Sequence, residues 1–282
     1  RVAWLLAGIW IAFGVLAWLR NYARRHRQAP GWMGAVVFGC AWLAQSMSQE
    51  ILFFVLPFWI RSTTWTSRNC LFTCALLVLA AATAFDPVYQ GRIATRTRLL
   101  LLHKALVAFA GLAFVVPALL GAHTTEALAL AGGLAGLATT FAVRSRSRLR
   151  TSLLGLFLGA VFAVGARGWI APVPLRVESA TFASGVRSRL PVDTLRQARP
   201  GRELWAWTPV FAPSGLTDTV VHEWTRDGRV LATIPLVLHG GRKEGFRTWS
   251  SSRWAAAKPG DVRVDVATSG GQLVGRMTIS VR

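Results

Sequence analysis

The chain has 282 residues, a formal net charge of +20 and 53% hydrophobic residues. Disordered chains combine high charge with few apolar residues, so this composition excludes intrinsic disorder. The apolar residues are concentrated in long runs in the first part of the chain, which argues against a single soluble domain. Because position 1 is Arg and not Met, we expect the sequence to be a fragment or a trimmed chain.

Six apolar stretches predict transmembrane helices, since a helix needs about 20 mainly apolar residues to cross a bilayer. In the first stretch the strongest charges follow the apolar run, so we interpret it as a retained helix and not as a signal peptide. The second stretch leaves two alternatives: one long span, or a span that ends early and continues along the interface or re-enters. The stretches lie at about 2–19, 31–60, 70–86, 99–121, 126–143 and 151–170.

The loops between these stretches differ in their basic residues, and this difference predicts the topology. Loops 20–30, 87–98 and 144–150 together hold eleven Arg, whereas the alternate loops 61–69 and 122–125 hold two. Lys and Arg concentrate in cytoplasmic loops, so both ends of the bundle are expected outside the cytoplasm. We therefore expect a multi-pass protein of the bacterial inner membrane with a periplasmic C-terminal domain. Membrane insertion accounts for the basic charge, and no nucleic-acid partner is expected.

Polar side chains within the predicted spans are candidates for an intramembrane site, because ionisable groups in a bilayer are costly and often functional. Glu50 is interpreted either as a functional carboxylate for protons or cations, or as a structural residue near the outer interface. Asp86 and Lys104 are expected near the cytoplasmic face, where they pair with each other or Lys104 extends to the interface. The candidates are Gln45, Ser46, Gln49, Glu50, Asp86, His103 and Lys104.

Small residues and thiols complete the description of the helical half. Pairs of glycines four residues apart predict close approach of helix backbones: Gly132 with Gly136, and Gly155 with Gly159.

The three cysteines lie in apolar surroundings and are expected to be buried, unpaired thiols: Cys40, Cys70 and Cys74. We expect no metal and no cofactor, because no further His or Cys accompanies them at ligand spacing.

After Pro172-x-Pro174 the pattern changes to alternating apolar and polar residues separated by turn signals. Asp227-Gly228 between two such runs is a strong hairpin signal. We predict a membrane all-α bundle in residues 1–171 and an all-β, immunoglobulin-like sandwich in residues 172–282. Its strands are predicted near 175–184, 203–212, 218–225, 229–238, 245–251, 261–268 and 272–281.

The β half contains a series of short motifs with ordered spacing. They are Leu204-Trp205-Ala206-Trp207-Thr208, His222-Glu223-Trp224-Thr225-Arg226-Asp227-Gly228, Gly245-Phe246-Arg247-Thr248-Trp249-Ser250 and Gly260-Asp261-Val262-Arg263-Val264-Asp265-Val266. This series resembles a bacterial membrane-protein family of unknown function, in which a helical region precedes a small extracytoplasmic β-domain. The stretch from Glu50 to Trp59 also resembles the membrane part of such proteins. Val262 departs from the resemblance, since similar proteins favour Trp there. The resemblance implies an architecture and no activity.

The Trp-rich β half has two interpretations. Exposed Trp beside Arg or His stacks on sugar rings or captures anionic groups. Alternatively, Trp fills the core of the sandwich while Arg residues brace loops and acids. The residues selected as candidates for binding are His222, Trp224, Arg247, Trp249 and Arg263.

We therefore expect a membrane-anchored cell-envelope protein whose β-domain binds or organises a partner protein, peptidoglycan or another anionic glycan. The alternative is a transporter or membrane enzyme that uses the polar site around Glu50. An enzymatic role is less favoured than a binding role, because the sequence contains no nucleophile elbow, phosphate-binding loop or metal cluster. The lipid bilayer is itself an expected partner.

Overall fold

The computed structural model describes residues 32–140 and 147–282, in which helices come first and strands follow. The predicted span at about 2–19 lies outside these residues. The α-helices of the described part are α1 Trp32–Ser62, α2 Cys70–Ala84, α3 Asp86–Val88, α4 Thr97–Leu120, α5 Thr124–Thr140 and α6 Arg148–Gly165. A π-helix, Tyr89–Ile93, follows α3, and a 3-10 helix, Arg167–Trp169, follows α6.

Among the described helices, α4 and α6 are long and apolar enough to cross a membrane. The segment from α2 to Ile93 becomes a third if the two pieces, bent by 97°, form one span. Six spans were predicted, and among the described residues two or three segments are long and apolar enough to be spans. The described part of α5 has 17 residues, fewer than the roughly 20 that a crossing needs.

The bend after α2 lies at Asp86-Pro87, where the sequence predicts the end of a span. Phe85, directly before these residues, has an extended backbone that ends the α2 helix. Pro87 lies in the first turn of α3, where its missing N–H leaves no helical hydrogen bond unmade, so it is compatible with the start of a new helix in a new direction. The π-helix Tyr89–Ile93 then leads into the loop before α4.

Residues 32–62 form one continuous helix, so α1 passes through Glu50 without a break. Beyond Glu50 one face of α1 is buried, and its apolar side chains recur at helical spacing: Ile51, Leu52, Val55, Leu56 and Trp59. The indole Nε1 of Trp59 donates a hydrogen bond to the carbonyl oxygen of Ala110 in α4 at 3.3 Å. Trp59 is therefore part of the helical core, whereas Phe53 and Phe54 of the same aromatic run are exposed. Whether all of α1 crosses the bilayer or its second part lies at the interface stays a prediction.

The predicted glycine pairs lie face to face between α5 and α6. A Cβ added at Gly136 would overlap the carbonyl oxygen of Gly155, and one at Gly132 would overlap that of Gly159. Conversely, a Cβ at Gly155 would lie 2.9 Å from the carbonyl oxygen of Gly136. The backbones approach so closely that only glycine fits at these positions, which confirms the predicted packing.

The β half contains ten strands in two five-stranded sheets. The strands are β1 Arg176–Val177, β2 Thr181–Arg187, β3 Leu190–Leu195, β4 Gln197–Ala198, β5 Leu204–Phe211, β6 Thr217–Arg226, β7 Arg229–His239, β8 Phe246–Ser252, β9 Gly260–Thr268 and β10 Leu273–Val281. The first sheet has the order β1-β5-β2-β3, with β8 also paired to β5, and the second has the order β4-β10-β9-β6-β7. Apolar residues from both sheets share one buried cluster, so the sheets pack face to face.

Six of the seven predicted strands match single strands, the one near 175–184 covers both β1 and part of β2, and β3 and the two-residue β4 were missed. The β2–β3 hairpin turns through Ser188 and Arg189, which both have positive φ (52° and 63°). Such two-residue turns normally contain Gly, Asn or Asp, so this sequence carries no turn signal there. The hairpin between β6 and β7 instead turns through Asp227 and Gly228, as predicted.

The helical and β halves are joined by hydrogen bonds at one end of the bundle. Asn69, in the loop after α1, donates from Nδ2 to the carbonyl oxygen of Leu273 at 3.0 Å. Gln272 donates from Nε2 to the carbonyl oxygen of Ile170 at 3.1 Å. Both side chains are almost fully buried. These contacts fix the β half against the ends of α1 and α6.

Asp218 of β6 makes a further contact between the halves, at the N-terminus of α5. Its Oδ2 accepts hydrogen bonds from the backbone N–H of Thr124 at 3.0 Å and from the Thr124 hydroxyl at 2.8 Å. Its Oδ1 accepts from the N–H of Thr219 and lies 3.3 Å from Nδ1 of His123. A carboxylate at a helix N-terminus satisfies free N–H groups and interacts favourably with the helix dipole. The β half therefore caps a helix of the bundle.

Candidate functional site

The outer face of the first sheet carries three tryptophans on two adjacent strands. Trp205 and Trp207 alternate on β5 with inward-facing residues, and Trp207 is directly opposite Trp249 of β8. All three side chains are half-buried. The Nε1 of Trp207 donates to the carbonyl oxygen of Arg189 at 3.1 Å, which fixes the indole beside the β2–β3 hairpin. The face is a preformed aromatic surface, and we call Trp205, Trp207 and Trp249 the Trp face.

Charged and polar groups border the Trp face along β8. Arg247, two residues before Trp249, lies 3.8 Å from the exposed carboxylate of Glu244, and its side chain is one-third exposed. On the other side, the hydroxyl of Ser251 donates to Oε1 of Glu203 at 2.9 Å. Exposed ion pairs of this kind contribute little to stability, so Arg247 can exchange its partner at low cost. The border offers a cation next to aromatic rings.

His222 and Trp224 do not lie on this surface. Both side chains are fully buried between the sheets, so they belong to the core and we remove them from the candidate binding residues. They face inward because β6 alternates buried and half-buried residues, and 222 and 224 share its inner face. This outcome agrees with the alternative in which Trp fills the sandwich.

The two residues are part of a buried hydrogen-bonded chain that joins the sheets. The Nε1–H of Trp224 donates to the Ser250 hydroxyl, and the Ser250 oxygen lies 2.8 Å from Nδ1 of His222. The Nε2 of His222 lies 2.8 Å from the Thr208 hydroxyl, which lies 2.8 Å from that of Thr248. Thr248 donates to the carbonyl oxygen of Thr208. Each hydroxyl donates once and accepts once if the imidazole is neutral with its proton on Nε2.

Burial lowers the pKa of His222 to about 4, because the charged imidazolium would lose its hydration between the sheets. At neutral pH the ring is therefore uncharged, in agreement with the hydrogen-bonded chain. A solvated surface His that binds anions would need the opposite protonation state. The geometry assigns His222 a structural role in joining the sheets.

Arg263 belongs to a charged cluster on the outer face of the second sheet. Its Nε lies 3.4 Å from Oδ2 of Asp265, and Arg276 binds the same carboxylate through two hydrogen bonds of 2.7 and 2.8 Å. The hydrogen bonds that Arg276 donates to Asp265 raise the pKa of Arg276, so this guanidinium stays charged. Arg276 also donates to the carbonyl oxygen of Thr66 in the helical half at 3.2 Å. Arg263 thus braces an acid, as the second interpretation expected.

The intramembrane candidates fall into two groups. Gln45 is buried, donates from Nε2 to Oδ1 of Asp86 at 2.8 Å, and accepts from Nε2 of Gln90 at 2.6 Å. Gln49 donates from Nε2 to the carbonyl oxygen of Thr83. These bonds clamp α1 to the bend after α2. The remaining residues are not part of this network: Ser46 is half-buried and Glu50 is exposed on α1.

His103 and Lys104 lie in the first turns of α4. His103 is buried with its ring 5.5 Å from that of Tyr89, and within the described ranges neither of its ring nitrogens has a hydrogen-bond partner. Lys104 is half-buried beside it. Asp86 accepts a hydrogen bond from Gln45, a partner that the sequence did not predict; the sequence left open whether Asp86 pairs with Lys104 or Lys104 extends to the interface. Gln90 of this network, and Asn69, Asp218 and Gln272 at the junction of the halves, were not predicted.

The described thiols, Cys70 and Cys74, both belong to α2. Cys70 is half-buried and Cys74 is exposed, and both are free. The expectation that both are buried is therefore wrong for Cys74, which lies on the outer side of α2. Within residues 32–140 and 147–282, no group of three or more His, Cys, Asp or Glu side chains is arranged to hold a metal ion.

Similarity to known proteins gives a family and no activity. No curated protein matches the chain. A solved β-glucosidase from Listeria innocua, in complex with glucose, is 13% identical over 38% of this chain and 15% of its own, with a TM-score of 0.25. The DNA glycosylase AlkC from Pseudomonas fluorescens, bound to DNA containing an abasic site analogue, is 11% identical over 97% of this chain and 77% of its own, with a TM-score of 0.26. Scores this low carry no argument about fold or function.

Two families of unknown function match the sequence. Residues 217–281 match the protein of unknown function DUF2914, which corresponds to β6 through β10. Residues 2–202 match the family of unknown function DUF5924, so this match includes the helices and continues through β4. Since the DUF5924 match covers more than half of the chain, the protein belongs to this family of unknown function. Membership of an uncharacterised family was predicted from the sequence.

Proposed function

We propose that this protein is a multi-pass membrane protein of the cell envelope that presents an immunoglobulin-like sandwich outside the cytoplasm, where its Trp face binds an envelope glycan. The six-span bundle and the inner-membrane location belong to this proposal. The observation that carries it is the Trp face, three half-buried indoles on adjacent strands with a cation at their border.

Support for the membrane location comes from the surface of α6 and from the loops. The helix leaves large apolar side chains exposed, among them Phe157 at 62% and Phe162 at 76%, which suits contact with lipid. The β half contacts the loops after α1 and α4, which are the loops poor in Arg. The positive-inside rule and these contacts therefore agree on the side that the β half occupies.

Support for a glycan as ligand comes from the shape and chemistry of the Trp face. A flat sheet surface holds the indoles side by side, and the Nε1 hydrogen bond of Trp207 fixes one ring before any ligand arrives. Aromatic rings present an apolar face with a polar edge, which suits the apolar face of a sugar ring. Arg247 supplies a positive charge for carboxylates of an anionic glycan.

The test uses the full chain in detergent micelles and measures co-sedimentation with purified peptidoglycan sacculi. Stacking on an aromatic ring contributes about 1.5 kcal/mol, so Trp249→Ala is expected to weaken binding roughly tenfold. Trp254→Ala is the matched control, because Trp254 is 78% exposed and lies in the loop after β8. Equal binding by both variants, or no binding by the wild type, would overturn the proposal. If a protein instead crosslinks at Trp249 in native membranes, the glycan proposal is wrong and the ligand of the Trp face is a protein.

A further inference from the structure

The tip of the β2–β3 hairpin lies beside the Trp face. Among the described residues, β2 pairs with β5 only over Thr181–Ala183, whereas its pairing with β3 continues to Arg187. Trp207 lies opposite Thr181, and a flat hairpin would place it about 25 Å from Arg189 in the turn. Its Nε1 nevertheless donates to the carbonyl oxygen of Arg189 at 3.1 Å. The hairpin therefore leaves the sheet where the pairing with β5 ends, and it curls back toward the indole of Trp207.

The hairpin tip and the segment after it form a basic patch. Residues 187–202 contain five Arg and one acid, Asp193. All five Arg are exposed, and within the described ranges none of them forms an ion pair within 4.0 Å: Arg187, Arg189, Arg196, Arg199 and Arg202. Unpaired charges of one sign repel one another and create a positive potential, so the patch attracts an anionic ligand.

The Trp face therefore has Arg side chains on two opposite sides. Strand β5, which carries Trp205 and Trp207, pairs with β8 along one edge and with β2 along the other. Arg247 belongs to β8, whereas Arg189 is in the turn of the hairpin that begins with β2. A ligand that lies across the indoles meets a guanidinium group on each side.

We propose that the Trp face binds an acidic glycan chain that lies across β8 and β5 and reaches the hairpin, where Arg187 and Arg189 bind its carboxylates. This binding mode rests on the proposed function and specifies the charge of the ligand. Sugar rings stack on the indoles, and carboxylates accept charge-assisted hydrogen bonds from guanidinium groups. Arg189 is close to the stacked sugar because its backbone oxygen is already bonded to the indole of Trp207. A neutral glycan would stack in the same way but would leave the Arg side chains unpaired.

The test measures co-sedimentation of the full chain in detergent micelles with native peptidoglycan sacculi and with sacculi whose carboxylates have been converted to amides. We expect the wild type to bind native sacculi about tenfold more tightly than amidated sacculi. Arg189→Gln is expected to weaken binding to native sacculi about fivefold, as the loss of one exposed ion pair predicts, and to leave binding to amidated sacculi unchanged. Arg229→Gln is the matched control, because Arg229 is also exposed and starts β7 in the other sheet.

Trypsin cleavage gives a second readout that does not depend on the affinity of a variant. Native sacculi are expected to protect the bond after Arg189 in the wild type, because the bound chain covers the hairpin tip. The bond after Arg229 should be cleaved at the same rate with and without sacculi. Equal cleavage after Arg189 with and without sacculi would contradict a contact between the ligand and the hairpin.

Equal binding of native and amidated sacculi by the wild type, or unchanged binding by Arg189→Gln, would overturn the role of the hairpin. If Trp249→Ala still weakens binding in that case, the proposed function stands without it, whereas an unaffected Trp249→Ala variant means that the proposed function itself fails. Vesicles of phosphatidylglycerol form a third arm. Binding to these vesicles that requires Arg189 and does not require Trp249 would overturn the glycan and assign the basic patch to an anionic membrane surface.

Discussion

The buried His222 predicts that the β half loses stability in acid by an amount that the structure determines. Its pKa is about 4 in the folded protein, against an ordinary value of 6.5. Because the folded pKa is the lower one, the unfolded state binds the proton more tightly. The stabilisation by neutral His222 is therefore complete above about pH 6.5 and is lost as the pH falls toward 4.

The magnitude follows from the difference between the two pKa values. Each pKa unit corresponds to about 1.36 kcal/mol, so the free energy of unfolding is expected to fall by about 3 kcal/mol between pH 7 and pH 4 from this residue alone. The loss has a structural cause, since a second proton on the imidazole would oppose the Ser250 hydroxyl at Nδ1. Trp224 shares that hydroxyl and reports the change, because its indole is fully buried.

The assay is urea unfolding of the full chain in micelles, followed by Trp fluorescence at pH values from 7 to 4. His222→Gln cannot titrate and is expected to be less stable at pH 7 by about 1–3 kcal/mol, because some buried partners lose their hydrogen bonds. Its stability should then depend less on pH than that of the wild type. His239→Gln serves as the control, since His239 is exposed at the end of β7. Parallel pH profiles for His222→Gln and the wild type would refute the reasoning.

Three further predictions concern the bundle and its junction with the β half. Gly136→Ala forces α5 and α6 apart and is expected to lower the free energy of unfolding by about 1–3 kcal/mol, measured by thermal melting, whereas Gly165→Ala, in open space, should change little. Asp218→Asn removes the charge that caps α5 and is expected to lower the free energy of unfolding by about 1 kcal/mol and to increase proteolysis at the junction of the two halves. Asp193→Asn is the control, because Asp193 is exposed on β3. Equal proteolysis of the two variants would contradict the cap. Glu50→Gln is expected to leave proton flux in proteoliposomes unchanged, because Glu50 lies outside the clamp of α1; a flux lost in this variant would favour the transporter alternative.

Local patterns were sufficient to predict that helices come first in this chain and strands follow. Apolar runs predict helices because backbone groups in a bilayer must bond within the segment, and α4 and α6 follow that rule. Alternation and Asp227-Gly228 predict the β6–β7 hairpin because strand periodicity and turn conformation depend on neighbouring residues. The glycine spacing likewise predicted the seam between α5 and α6.

The site required contacts between residues far apart in sequence. Alternation marks a face of β6 but does not show which sheet covers it. His222 and Trp224 were therefore selected as binding candidates, although the first sheet buries them. Asp218 caps a helix 94 residues away, a pairing that no local pattern encodes. Arg276 and Leu273 of β10 bond to the loop after α1, a contact between residues more than 200 positions apart that no local pattern encodes. The sequence alone determined that a helical half precedes a β half and where most strands lie, since these features depend on near neighbours. The tertiary structure decided which side chains are buried, paired or exposed, since these depend on what packs against each face.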